Sequence, residues 1–503
     1  MDNIRIKNVR GLVDTKDIDI KPVTILLGRN GSGKSSFARC FPLMKQSCVE
    51  NKKNPLVFNG QYVDFGDYNT AKSMFGGDIF VSFSINPKDI ESEIIPSYLF
   101  DYVGEECLSY RIKFSATGER DNYISKICIS SKSYKISLTV SESLRIREAK
   151  INGIDCSEFL SEFSIVPGMI VPMLCEGKRR VPFMWLSETS TPVKAFVDIV
   201  REHCHQRVSK GSILSMIYKF TPVSNREILD FLKGYELGQV WRSKVQGWTV
   251  KKLEFLRIRK ILLSVYAFRF MAHARVTFEL AMDNVEYLAP LRAMVQRYYR
   301  FDDSPVFRVS HDGSNVALFF HGMSDEDREK FTNWTQKYFK IQFASHSAYG
   351  HVSLFVSLDG ETPQNVVDSG FGYSQVLPVL LQMWSTLRPD KRSTFKGRVK
   401  KIIVIEQPEL HMHPCMESLF ADVVFTLAKS QDSHFMPHFI IETHSKEIVN
   451  RIGENIVSSP QMASEVALLL FEKKENGKSA VTRTEYSAEG YIKDWPVGFL
   501  SAE

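Results

Sequence analysis

G-R-N-G-S-G-K-S-S, Gly28 to Ser36, is the stretch that decides the fold. It fits G-x-x-x-x-G-K-[ST], follows the apolar run V-T-I-L-L and opens a helix-like segment, S-S-F-A-R-C-F. That strand–loop–helix context is what makes such a match informative. Gly31 and Gly33 let the backbone bend, so that its N–H groups converge on the β- and γ-phosphates of a nucleotide. Lys34 supplies a point charge to those phosphates and the Ser35 hydroxyl a ligand for Mg²⁺. Asn30, Ser32 and Ser36 complete the loop residues expected against the nucleotide. The expectation is a chain that binds ATP with Mg²⁺.

A second stretch, K-I-I-V-I-E-Q-P-E, places Glu406 at the end of a buried strand, where a carboxylate can hold Mg²⁺ through water. The next position ordinarily carries the general base, but here it is Gln407. An amide orients water by hydrogen bonding and cannot take its proton. Glu409 is the nearest carboxylate able to substitute; a plain turn acid is its other reading. F-I-I-E-T-H-S sets His444 after another buried strand, at the spacing of a switch histidine that contacts the γ-phosphate. A satisfied structural histidine is the alternative there.

The rest of the chain bounds the class. Its 503 residues are 44% hydrophobic and 24% charged, enough for a large core and two or three subdomains. A net charge of +6 permits nucleic-acid contact without arguing for it. The eight cysteines are scattered without a C-x-x-C pair, which fits reduced thiols and a cytoplasmic setting. The N-terminus does not read as a signal peptide, and the longest apolar run, Ile261–Phe268, is too short to cross a bilayer. Residues 1–90 read as an N-terminal lobe with the phosphate loop. Residues 91–300 read as a β-rich and then helical insertion without sustained heptads, and 301–503 as a C-terminal lobe. The fold class expected is therefore α/β, one nucleotide-binding domain split by insertions.

With the phosphate loop, E-Q-P-E-L-H-M-H-P at Glu406–Pro414 and T-H-S at Thr443–Ser445, the chain resembles ABC/SMC-like AAA ATPases of bacteria. Relatives of that head occur in RecF-type repair proteins and in the ATPase subunits of Septu and PARIS antiphage systems. Y-L-A-P-L-R (Tyr287–Arg292), D-S-G-F-G-Y-S-Q-V-L-P (Asp368–Pro378) and the tail Y-I-K-D-W-P-V-G-F (Tyr491–Phe499) extend the likeness, which is weak over about 90–285. The resemblance implies an ABC/SMC-type P-loop head. It makes Ser369, Gly370, Gly372 and Ser374 the signature segment facing the γ-phosphate bound by the other subunit, and Leu410–Pro414 a dimer-contacting loop. It also makes Arg10 an arginine approaching the phosphates, and Gln61 a glutamine completing the Mg²⁺ and water arrangement.

The implied partners are a second copy, as a head-to-head dimer or higher oligomer, and a separate effector such as an HNH or Toprim nuclease. After Ser445 too little chain remains for a Toprim domain, and no H-N-H pattern occurs. His203–His205 lies in a helical segment with poor metal geometry. His411, His413 and Cys415, at alternate spacing, could bind a transition metal, but the resemblance already accounts for the two histidines, and no Ser–His–Asp pattern is found. Basic clusters at Arg388–Lys401 and Gly177–Arg180 could touch nucleic acid or form solvated loop faces. Three functions follow: an ATP-driven switch over an effector in antiphage defence, with turnover slowed by Gln407; a RecF-like DNA-binding repair ATPase; and an ATP-held scaffold.

Overall fold

The computed structural model describes residues 1–48, 53–90, 106–117, 121–176, 186, 188–221, 224–290, 292–293, 295–300, 306, 308–358, 361–369, 371–387, 398–430 and 434–495. They form two compact units, one of Met1–Asn8, Leu43–Gly60 and Asp64–Met282, the other of Val9–Pro42, Gln61–Val63 and Asp283–Glu503. This differs from the division at 90 and 300 for two reasons. The strand Ile79–Ile85 hydrogen-bonds along its length to Leu108–Ser115 of the β-rich stretch. The strand Val285–Leu288 instead joins Val399–Glu406.

The second unit is built on a parallel sheet. Val466–Lys473, the phosphate-loop strand Val23–Gly28, Phe435–Glu442, Val399–Glu406 and Val285–Leu288 lie in that order. Apolar residues such as Ile25, Ile403, Ile405, Phe439 and Ile441 are buried along these strands, the continuous burial of a parallel sheet covered on both faces. Helices Phe371–Leu387, Pro414–Lys429 and Lys446–Val457 supply part of the covering. Register then sets the chemistry: Glu406 pairs with Glu442, and Glu442 with Leu26. Two acids thus end neighbouring strands at the carboxyl edge, the edge where open α/β sheets take their ligands.

The first unit is an antiparallel sheet in the order Ile154–Asp155, Ile146–Ile151, Lys135–Val140, Tyr123–Ser130, Leu108–Ser115, Ile79–Ile85 and Asn3–Val9. Burial alternates along its strands, so one face is core and the other faces water. The 31-residue helix Leu253–Asp283 lies against the core face. Phe83 stacks on Phe278 at 5.3 Å, and the Tyr110 and Tyr134 hydroxyls donate to the helix carbonyls of Ala274 and Leu263, both at 2.8 Å. That helix packs on a sheet and is no coiled-coil arm, in keeping with its lack of heptads. Arg269, buried within it, donates to the carbonyls of Ile217, Tyr218 and Phe220 near the end of helix Lys210–Lys219.

Candidate nucleotide-binding site

The phosphate loop turns where glycine is required. Gly28 sits at φ +151°, where an added Cβ would stand 2.3 Å from the Phe471 carbonyl oxygen of the adjacent strand. Gly31 (φ +74°) borders open space. The Lys34 ammonium is buried and donates to the carbonyls of Gly28 (2.8 Å) and Arg29 (3.1 Å). Burial lowers its pKa, and Glu442 opposes that effect.

Ser35, half-buried one residue on, donates its hydroxyl to Glu442 Oε1 at 2.7 Å. Lys34 Nζ lies 3.9 Å from the same oxygen. Glu442 is 3% exposed, and burial, then the neighbouring Glu406, pushes its carboxyl up to about 7. Its second oxygen, Oε2, is buried without a hydrogen-bond partner.

Glu406 is held differently. Arg39, which caps the helix Lys34–Ala38, grips it through Nε to Oε1 and Nη2 to Oε2, both at 2.8 Å. The Tyr287 hydroxyl donates to Oε1 at 2.8 Å. The carboxylate raises the pKa of the Arg39 guanidinium. Burial, then the charge of Glu406, raises that of the Tyr287 phenol.

Gln407 adopts a left-handed backbone, φ 45°, and its N–H donates to the Glu442 carbonyl at 2.7 Å. Glu409 Oε1 accepts from the backbone N–H of His444 at 2.7 Å, while Oε2 is buried without a partner. Burial raises the pKa of this carboxyl. Local desolvation and then the Lys34 ammonium lower that of the exposed His444. Arg292, buried beside Glu409, is brought down to about 10 by desolvation.

Of the residues singled out in the sequence, Lys34, Ser35, Glu406, Glu409 and His444 are thus linked through direct contacts or strand register. Asn30 and Gly31 are exposed, Gly33 and Ser36 are half-buried in the turn, and the Ser32 hydroxyl is buried without a partner. Arg10 has φ 48°, and its charge opposes the effect of burial, which pushes the Cys40 thiol up to about 12. Gln61 is exposed; its neighbour Tyr62 packs on His311, which stacks on Tyr287. Ser369 bonds back to the Asn365 carbonyl, Ser374 is buried, and Gly372 lies so close to the His411 carbonyl that a Cβ would be 2.9 Å away. Gly370 lies outside the described residues, as do Gly177–Arg180, most of Arg388–Lys401 and the end of the tail.

Sequence reading missed Glu442, Arg39 and the hydroxyl of Tyr287. For Glu442 a signal existed: F-I-I-E ends an apolar run in an acid just as I-I-V-I-E does.

Buried polar atoms without partners are rare in folded proteins and mark places a ligand completes. Near the phosphate loop, among the described residues, they include Ser32 Oγ, Glu442 Oε2 and Glu409 Oε2, together with Nε and Nη1 of Arg292 beside Glu409. The set fits a nucleotide phosphate with a divalent cation, held by Lys34, Ser35 and an acid of the strand ends. Such a cation supplies positive charge against the phosphates.

Fold and site together define an α/β P-loop nucleotide-binding domain, split in sequence by a β-rich and helical insertion. The AAA ATPase domain family matches residues 317–449, about a quarter of the chain, which span the helix Phe371–Leu387, both acid-bearing strands and His444. The chain is similar to Endonuclease GajA of Bacillus cereus (strain HuB5-5), 29% identical over 100 residues, or 19% of this chain and 14% of that protein. Among solved structures it aligns with an Smc head with an extended coiled coil bound to the C-terminal domain of ScpA, from Pyrococcus furiosus. That alignment has 10% identity, a TM-score of 0.36 and coverage of 96% of each chain. An SMC head domain from Thermotoga maritima gives 10% identity and a TM-score of 0.31, covering 95% of this chain and 97% of that one. No helix among the described residues is long and apolar enough to cross a membrane.

Proposed function

We propose that this chain is an ATP-binding, slowly hydrolysing switch that dimerises head to head through ATP and controls a separate effector, a nuclease, in bacterial antiphage defence. The observation that carries the reading is the grouping of Lys34 and Ser35 with buried acids around a glutamine at position 407. Lys34 would leave its loop carbonyls to meet phosphate charge, and the Ser35 hydroxyl would help hold a divalent cation that supplies positive charge there. Gln407 orients the attacking water through its amide. Glu409, its carboxyl raised by burial, accepts the proton, and His444 stands beside it. Small residues at the start of the helix Phe371–Leu387, among them Ser369, Gly372 and Ser374, suit close approach of a second subunit's nucleotide. The likeness to an endonuclease supports nuclease control.

ATP turnover by the wild type beside Gln407→Glu and Glu409→Gln tests this, with light scattering in the presence and absence of ATP. Slow turnover that rises in Gln407→Glu and vanishes in Glu409→Gln, with an ATP-dependent rise in mass, is expected. Fast wild-type turnover by a constant monomer would sink the switch.

A RecF-like DNA-binding ATPase is the second reading, favoured by one observation. The open face of the antiparallel sheet carries Arg111, Lys113, Lys126, Lys135 and Lys150 around a concavity of about 510 Å³. Lys113 and Lys126 stand directly opposite on adjacent strands, and Asp78 pairs with Lys113 at 2.9 Å, which leaves the rest of this face net positive. Duplex binding whose affinity falls steeply with salt would move the assignment to this reading.

A further inference from the structure

We propose that Glu442, on the strand Phe435–Glu442, is the carboxylate that receives the divalent cation at Ser35, and that Glu406 serves instead as the anchor of an Arg39–Tyr287 clamp. The proposal rests on the nucleotide-binding reading above and assigns the metal's acid within it.

Three observations converge on it. The Ser35 hydroxyl, the side chain that a phosphate-loop site turns toward its metal, donates to Glu442 at 2.7 Å. Glu406 is already satisfied: both oxygens take a guanidinium N–H of Arg39, and one also takes the Tyr287 hydroxyl. Directing it at a cation would break a bidentate charge-assisted pair and strand Arg39. Glu442 has the opposite inventory. One oxygen meets Ser35 and the rim of Lys34, and the other is buried with no hydrogen-bond partner, on a side chain only 3% exposed. A carboxylate is an acceptor with no donor of its own, so a buried oxygen of this kind is completed by a proton donor or by a cation. A hard divalent cation takes oxygen ligands such as carboxylates and hydroxyls, the pair assembled here.

Strand register explains how the role moves. Glu406 and Glu442 are paired at the ends of adjacent parallel strands, and Phe435–Glu442 is the strand that borders the phosphate-loop strand. Glu442 is therefore one strand closer to Ser35. Arg39 pairs with both oxygens of Glu406 and so compensates one of the two adjacent acids.

The test reads metal retention, not turnover. Mn²⁺ binding is followed by electron paramagnetic resonance in the full chain with a non-hydrolysable ATP analogue, and analogue binding is measured separately in EDTA. Glu442→Gln keeps the shape of the side chain and removes its charge. It should weaken Mn²⁺ retention by ~10-fold or more, the scale seen when metal-site partners are removed, while analogue binding in EDTA persists. Glu406→Gln should weaken retention less than threefold, about 0.6 kcal/mol. Glu442→Asp, which keeps the charge, should recover part of the loss and guards against misreading a folding defect. Equal losses in the two Gln variants, or a larger loss in Glu406→Gln, would overturn the assignment. A wild type that fails to bind the analogue even in EDTA would overturn the nucleotide reading itself, and this proposal with it. Wild-type analogue binding with Mn²⁺ retained in Glu442→Gln would overturn the metal assignment alone.

Discussion

The two units bury polar groups in opposite ways. In the antiparallel unit, several large buried polar side chains spend their donors on backbone carbonyls. Tyr110 and Tyr134 donate to helix carbonyls, and Arg269 spends its donors on three carbonyls. In the parallel unit, Lys34, Glu406 and Glu442 are each at most 3% exposed, and Glu442 keeps a carboxylate oxygen without a partner. Packing alone gives no reason for that cost, since an uncompensated buried charge is strongly destabilising. The open carboxylate oxygen of Glu442 in the second unit is what the nucleotide reading proposed above would complete.

The largest way to sharpen that contrast is to damage the stable interior. Phe83, 1% exposed, stacks on Tyr110 at 4.7 Å and on Phe278 at 5.3 Å. Phe83→Ala should cost ~3–5 kcal/mol of stability from lost burial and the cavity left behind, read by urea denaturation. Lys34→Ala is the counterpart in the charged unit. Turnover should fall by ~10²–10³-fold, ~3–4 kcal/mol in barrier, with the urea midpoint little changed. If Lys34→Ala destabilised the chain as much as Phe83→Ala, the lysine would be a packing element and the contrast would fail.

The parallel strands were legible because burial on both faces leaves continuous apolar runs, as in V-T-I-L-L and I-I-V-I. The phosphate loop was legible because glycine, lysine and serine are each required by local geometry. Contacts across long sequence separations were not. Arg39 meets Glu406 across 367 residues and Tyr287 meets it across 119, and neither spacing leaves a periodic trace. Glu442 shared Glu406's pattern, but the histidine two residues on drew the reading. Strand partners were not legible either, because hydrogen bonding, not composition, pairs Ile79–Ile85 with Leu108–Ser115 and Val285–Leu288 with Val399–Glu406.

A third prediction uses pH on the stable interior. His273, in the helix Leu253–Asp283, is fully buried, and desolvation brings its pKa down from 6.5 to about 4. The unfolded chain therefore binds this proton at higher pH than the folded one. The contribution is present in full above about pH 6.5 and is lost as pH falls toward about 4, to the extent of ~3 kcal/mol. His273→Gln should flatten the acid limb of a stability–pH curve over that window. An unchanged limb would mean that His273 is hydrated in solution.

The smallest effects make the finest comparison, because they remove one hydroxyl from each unit. Tyr134→Phe deletes a donor to a neutral helix carbonyl, and the Leu263 oxygen it leaves lies within a helix. A loss of ~1 kcal/mol is expected. Tyr287→Phe deletes a donor to a buried carboxylate, where hydrogen bonds run to ~1.5–3 kcal/mol. Here Arg39 still neutralises Glu406, so the loss should sit at the lower end of that range while exceeding that of Tyr134→Phe. Thermal denaturation of both variants side by side reads the difference. Equal losses would mean that Glu406 takes up water or shifts onto Arg39 when the phenol goes. A larger loss in Tyr134→Phe would reverse the contrast and place the more demanding polar contact in the antiparallel unit.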